Sequence, residues 1–199
     1  MRNEEADDAG LVADALGGDA GAFDTLVRRH QRRVVAVAYR LLGNVDDASD
    51  VAQDALLRAF QRLDQLADPR RFAPWLMRIV GNLALNYRRS RAASAAVGLD
   101  DAGELAESAA SLRFQSPGDQ SKSAIPTEAV ELQSAFDRAL ETLPQKQRTA
   151  LVLFSIAGLP QSEVAQIMDC TVELVKWNVF QARKTMKDKL SDFLPAGDP

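Results

Sequence analysis

Three groups of side chains in this 199-residue sequence have the types and spacing to do chemistry, and in each case it is the chemistry of binding. Between Arg70 and Arg91, the residues Arg71, Trp75, Arg78, Asn82, Asn86 and Arg89 recur at steps of three and four, so a helix places them on one side. Cations hold phosphates, amides hydrogen-bond base edges, and an aromatic ring stacks on an unpaired base. The plainer reading of the same line is a solvated basic face with Trp75 half-buried in the core. A second line, Asp47, Asp50, Asp54, Arg58 and Gln61 with Gln53 beside it, is either a solvated face or a dock for a basic protein surface. The third group is QSEVAQIMDCTVELVK at 161–176, which reads as a short helix, a three-residue turn and a second helix. Small Ala165 suits a close helix crossing, and Val164, Ile167 and Val175 form the apolar knot of a helix-turn-helix. A basic run follows, with Lys176, Arg183, Lys184, Lys187 and Lys189 against Asp188 alone. A bare helical hairpin is the alternative there.

No group points to catalysis. The single cysteine, Cys170, excludes a disulfide framework and a Cys-rich zinc site. The single histidine, His30, leaves no His-based metal cluster and argues against a Ser-His-Asp triad. His30 sits among arginines and is expected to be exposed or capping, and Cys170 to be a small buried hydrophobe. No Gly-rich phosphate loop is present, so no active site, metal or cofactor is expected, and the protein reads as a non-enzyme.

Charge is better read locally than in sum. The net charge is −4, from 24 basic and 28 acidic residues. Yet from Arg58 to Arg91 the bases Arg58, Arg62, Arg70, Arg71, Arg78, Arg88, Arg89 and Arg91 face only Asp64 and Asp68. An acidic chain with two basic stretches implies two local contacts with an anionic polymer. The acidic start at Met1 lacks a signal peptide's basic and apolar regions, and the apolar run Val34–Tyr39 is too short to cross a bilayer. A soluble, cytoplasmic protein without membrane contact is expected.

The elements that must position these groups are helical throughout. Phe23, Leu26, Val27, Val34, Val37, Ala38 and Leu41 form one stripe, ended by Gly43-Asn44. Val45, Ala48, Ala52, Ala55, Leu56, Ala59 and Leu63 form the next, broken at Asp68-Pro69. Phe72, Leu76, Ile79, Leu83 and Tyr87 form a third, with Pro74 tolerated in the first turn. Residues from about 90 to 126 turn rich in Ala, Ser, Gly and Asp and read as a flexible linker, a poorly patterned helix near Leu99–Leu112 being the alternative. Helical spacing returns at Val130, Leu132, Phe136, Ala139, Leu140 and Leu143, then over 145–157, 160–168 and 172–190. The fold class expected is all-α, two small helical domains joined by a linker.

The order of these phrases resembles the extracytoplasmic-function (ECF) group of bacterial RNA polymerase sigma factors. The likeness spans about 20–95 and 128–192. It rests on DVAQDALLRAF at 50–60, FAPWLMRIVGNLALNY at 72–87, LPQKQR at 143–148 and IMDC at 167–170. The resemblance implies an N-terminal tail (1–19), a region-two domain (20–95), a linker (96–127), a region-four domain (128–192) and a C-terminal tail (193–199). It implies core RNA polymerase as partner, with Asp47, Asp50, Gln53, Asp54 and Arg58 meeting the β′ clamp helices and region four meeting the β flap. Leu66, Arg70, Arg71, Trp75, Arg78, Asn82, Asn86 and Arg89 would read and melt the −10 promoter element. Lys176, Trp177, Asn178, Gln181, Arg183 and Lys184 would meet the −35 element. An anti-sigma factor is implied as a further partner.

The recognition helix departs from the family pattern. Asn178 and Gln181 stand where arginine is common, Trp177 where serine is common, and Glu173 puts negative charge where a helix N-terminus meets phosphate. Two other readings follow from the same residues: a stand-alone helix-turn-helix regulator, and a protein-interaction module whose C-terminal domain does not bind DNA.

Overall fold

The structure, a computed structural model, describes residues 7–96 and 127–193, so the expected linker (96–127) and C-terminal tail (193–199) fall almost entirely outside the described residues. Within them every regular element is helical: α1 (Asp8–Leu16), α2 (Ala20–Leu42), α3 (Val45–Gln61), α4 (Phe72–Ala96), α5 (Thr127–Glu141), α6 (Gln145–Leu151), α7 (Gln161–Met168) and α8 (Val172–Lys189).

Helix α1 corrects the sequence reading, which placed 8–16 in a tail. Asp7 caps it by accepting a hydrogen bond from the Gly10 amide at 2.8 Å. Leu11 and Val12 are completely buried, and Asp8 reaches Arg29 at 2.6 Å and His30 at 2.8 Å. His30 is therefore a buried anchor for α1, its ring tilted against Phe72, rather than an exposed residue. Only two large apolar residues carry the helix inward, too few to show as a stripe.

Local chemistry sets the other boundaries as expected. Gly43 ends α2 in the left-handed conformation (φ 79), where its amide bonds the Tyr39 carbonyl. Asn44 then caps α3 through the Asp47 amide. The inward face of α3 is mostly alanine (Ala48, Ala52, Ala55, Ala59), which lets it lie close against α2 and α4. Two 3-10 turns, Leu63–Gln65 and Pro69–Arg71, carry the chain into α4.

In the C-terminal half the expected single helix over 145–157 divides. α6 gives way to a π-helical turn at Val152–Ile156, whose wider turn buries both Val152 and Leu153. α7 ends with Asp169 in the left-handed region (φ 52), and Thr171 caps α8 through the Leu174 amide at 3.3 Å. The helix-turn-helix and its inward Val164, Ile167, Val175, Val179, Ala182 and Met186 are as the spacing predicts.

The two halves pack on each other. Arg33 donates to the carbonyls of Ile156 and Ala157 at 3.0 and 3.1 Å, closing the end of the π turn. Arg40 pairs with Asp137 at 3.1 Å, and Arg88 donates to Thr149 Oγ1 at 3.2 Å. Between these polar clamps, a Cβ on Gly81 would come within 2.9 Å of Leu153 Cδ2 and 3.4 Å of Ile167 Cδ1. Any side chain at this position would have to push the Leu153 side chain aside, so glycine eases the approach of the second half to this side of α4. Burial of Arg88, together with neighbouring Arg148, lowers its pKa. This packing explains why α4 is buried more widely than its predicted stripe. Met77, Val80 and Ala84 are fully buried alongside Phe72 and Leu76, whereas Ile79, Leu83 and Tyr87 are half-buried.

Candidate nucleic-acid interface

The loop 65–68 and the first turns of α4 enclose a cleft of about 220 Å³. Gln65, Leu66, Ala67, Asp68, Arg71, Pro74, Trp75 and Arg78 line it, and Glu163 from α7 stands at its edge. Asp68 shapes the entrance by accepting from the Arg70 amide at 3.0 Å, which sets Pro69–Arg71 into a tight turn. Leu66 is a buried wall, and Trp75 is half-buried with its ring tilted against Phe72 at 6.0 Å. Arg70, Arg71 and Arg78 keep their cationic ends in water beside an apolar floor. Such a cleft is smaller than a drug-sized pocket and suits one planar ring with a phosphate next to it.

The rest of the predicted line continues along the same exposed side of α4. Asn82, Asn86 and Arg89 all face solvent. Asn82 Nδ2 donates to the Arg78 carbonyl at 2.9 Å, and Asn86 Oδ1 accepts from Arg89 at 3.4 Å. The amides are thus held on their own helix and must rotate to meet a base. Glu163 was not anticipated in this cleft. Its Oε1 lies 3.4 Å from Arg71 Nη2, an ion pair between the halves that no local spacing encodes.

On α3 the acidic line divides into two roles. Asp50, Gln53, Asp54 and Arg58 are exposed, with Arg58 and Asp54 in an i,i+4 pair at 3.5 Å. Leu57 and Phe60, 51% and 56% exposed, add apolar surface among them, and their place outside the inward stripe was the available signal. Asp47, grouped with this face from the sequence, is instead occupied within the fold. One of its oxygens accepts from Tyr87 Oη at 2.5 Å and the other from Arg91 at 2.8 Å. The Asp47 bond holds the Tyr87 phenol above its usual value, and burial adds to it.

Helix α8 is corrected more sharply. Asn178, expected to face DNA, is 2% exposed and donates to the Leu174 carbonyl at 2.8 Å, deep in the contact with the rest of the domain. Arg183 leans back onto the Phe154 ring at 5.5 Å and donates to Ser155 Oγ at 3.2 Å. Lys176 and Lys184 are exposed, and Gln181 is half-buried. The outward side shows Trp177 at 53% and Phe180 at 65% exposure, and Phe180 escaped the sequence reading because it adjoins the buried Val179. Cys170, in the turn before α8, is partly exposed, its thiol raised by burial and by Asp169.

The chain thus joins a helical N-terminal unit bearing a cationic cleft to a helix-turn-helix unit. The comparisons agree: the sigma-70 region 2 family matches residues 26–94 and the sigma-70 region 4 family matches 133–186. The ECF RNA polymerase sigma-E factor of Escherichia coli (strain K12) is 31% identical over 195 residues, covering 96% of this chain and 98% of that protein. The ECF RNA polymerase sigma factor SigW of Bacillus subtilis (strain 168) is 30% identical, covering 88% of this chain and 92% of that protein. CnrH, solved in complex with the cytosolic domain of CnrY, is similar at a TM-score of 0.56 and 26% identity, covering 93% of this chain and 97% of that one. The sigma factor RpoE of Bartonella quintana, solved with the anti-sigma factor NepR, shares the fold at a TM-score of 0.57 and 23% identity, covering 85% and 96%. The chain belongs to the ECF sigma factors of the sigma-70 family. No helix among the described residues is long and apolar enough to cross a membrane.

Proposed function

We propose that this sigma factor docks on core RNA polymerase through the exposed face of α3 and opens promoter DNA with the cleft at the start of α4. The β′ clamp helices would meet Asp50, Gln53, Asp54 and Arg58, with Leu57 and Phe60 supplying the desolvated centre that charge alone lacks. The −10 strand would lie along Arg70, Arg71, Arg78, Asn82, Asn86 and Arg89, with one extruded base against Trp75 and Leu66. Trapping an unstacked base favours the open duplex, because the closed duplex cannot fill the cleft. The region-four unit would meet the β flap and the −35 duplex, mainly through the phosphate contacts of Lys176 and Lys184.

The observation that carries this reading is the cleft itself: an apolar floor, one aromatic ring and two arginines, Arg71 and Arg78, at a helix start. Glu163 presents a carboxylate to Arg71 where a −10 phosphate would lie, so α7 has to withdraw before DNA enters. The packed arrangement of the halves is therefore the resting form. It also fits a protein partner such as an anti-sigma factor: CnrH was solved in complex with the cytosolic domain of CnrY.

Run-off transcription with purified core polymerase tests the reading. Permanganate footprinting reports unpaired thymines in the open complex, and Asn82→Ala is expected to reduce them without weakening co-elution with core. A chain that never co-elutes with core polymerase and yields no transcript would leave a plain duplex-binding regulator in its place.

A further inference from the structure

The outward side of α8 carries an order of side chains that is its own complement. At 100° per residue, Glu173, Trp177, Phe180 and Lys184 fall on one side of the helix, opposite the buried Val175, Val179, Ala182 and Met186. Trp177 and Phe180 leave more than half of their surface in water. Glu173 and Lys184 are exposed, and neither makes an ion pair among the described residues. Read along the helix, the side runs acid, aromatic, aromatic, base. A second α8 laid antiparallel meets it in reverse order, so Glu173 faces Lys184 and Trp177 faces Phe180, twice over. This is the isologous pattern of a two-fold interface.

We infer that α8 is a self-association surface, pairing antiparallel with α8 of a second copy about a two-fold axis between Asn178 and Val179. The aromatic centre excludes water, and the end charges fix the register and forbid the parallel arrangement. One pair of helices buries less than the 1,200 Å² or so of a stable interface, so the dimer is weak and depends on concentration. While it persists, α8 is closed to DNA. The inference goes beyond the proposed initiation role and does not require it.

Sedimentation velocity of the full chain across a concentration series reads the association directly. The weight-average mass is expected to climb from 21.7 kDa toward twice that value. Glu173→Lys alone and Lys184→Glu alone are each expected to move the midpoint to about tenfold higher concentration, since each turns two attractions into two repulsions. The double variant with both reversals restores the wild-type midpoint, and Trp177→Ala abolishes association. All these positions are exposed, so the helices are expected to persist, which circular dichroism checks. Wild-type chain that stays at monomer mass overturns the inference. So do single reversals that leave the midpoint unmoved, or a double reversal that fails to restore it, either of which places the contact on another face. Duplex DNA that binds the monomer more weakly in Trp177→Ala than in wild type overturns it as well, because Trp177 then serves DNA.

Discussion

Replacing Asn178 with arginine separates the sequence reading of α8 from the structural one. By its place in the helix-turn-helix, Asn178→Arg adds a cation to a DNA-reading face and tightens duplex binding. The structure reverses that expectation. Asn178 is 2% exposed and its amide donates to the Leu174 carbonyl at 2.8 Å, so an arginine there loses a buried hydrogen bond, about 1 kcal/mol. It also forces a longer side chain between α8 and its neighbours, about 1–3 kcal/mol. Its guanidinium must then either stay desolvated or bend along the helix to reach water. The first two alone sum to about 2–4 kcal/mol, comparable to the whole stability of a domain of this size at roughly 0.05–0.15 kcal/mol per residue. Urea unfolding followed by circular dichroism is expected to show an early transition belonging to the region-four half, with weaker rather than tighter duplex binding. Gln181→Arg, at a half-buried position facing outward, should keep the wild-type transition. An Asn178→Arg protein of native stability that binds duplex more tightly would refute the reasoning.

The two aspartates of α3 should behave differently: Asp54→Arg abolishes co-elution with core polymerase and leaves the unfolding midpoint unchanged. Asp47→Ala instead lowers stability by about 1 kcal/mol through the lost Tyr87 bond, and a polymerase pull-down beside a urea titration distinguishes the two. Gly81→Leu adds a side chain where even a Cβ would crowd Leu153, so the halves are expected to part, at about 1–3 kcal/mol, and small-angle scattering should show a larger radius of gyration. An unchanged radius would mean that α4 and α7 yield locally. The Tyr87 phenol is held above 10.0 by its bond to Asp47, so that contribution is complete below the ordinary tyrosine value and is lost as pH rises through the raised one. Unfolding midpoints of wild type should fall toward those of Tyr87→Phe in strong alkali and exceed them near neutrality.

Much of this protein was legible in the sequence because the signals are local. The periods of α2, α3, α7 and α8 and the stop at Gly43 arise from interactions within a few residues, which linear spacing reports. The cationic line with Trp75 on α4 was legible for the same reason. What spacing cannot report is which face meets another part of the chain. Asp47 sits in register with Asp50 and Asp54, yet Tyr87 and Arg91, some forty positions on, take both its oxygens. Asn178 has the periodicity of a DNA-facing residue only if the outward side of α8 is centred on it. Packing centres that side on Trp177 instead, because the contacts with the rest of the domain turn Asn178 inward. Helix α1 has too few apolar residues to declare itself and is held by Asp8 reaching Arg29 and His30 on another helix. The sequence alone settled most of the helices, though not α1 or the π turn after α6, together with the helix-turn-helix and the family. Tertiary structure decided which charges are spent inside the fold, that Glu163 meets Arg71 at the cleft, and that α8 turns two aromatic rings to water. Those outcomes depend on contacts between residues far apart in the chain, where burial and pairing outweigh local preference.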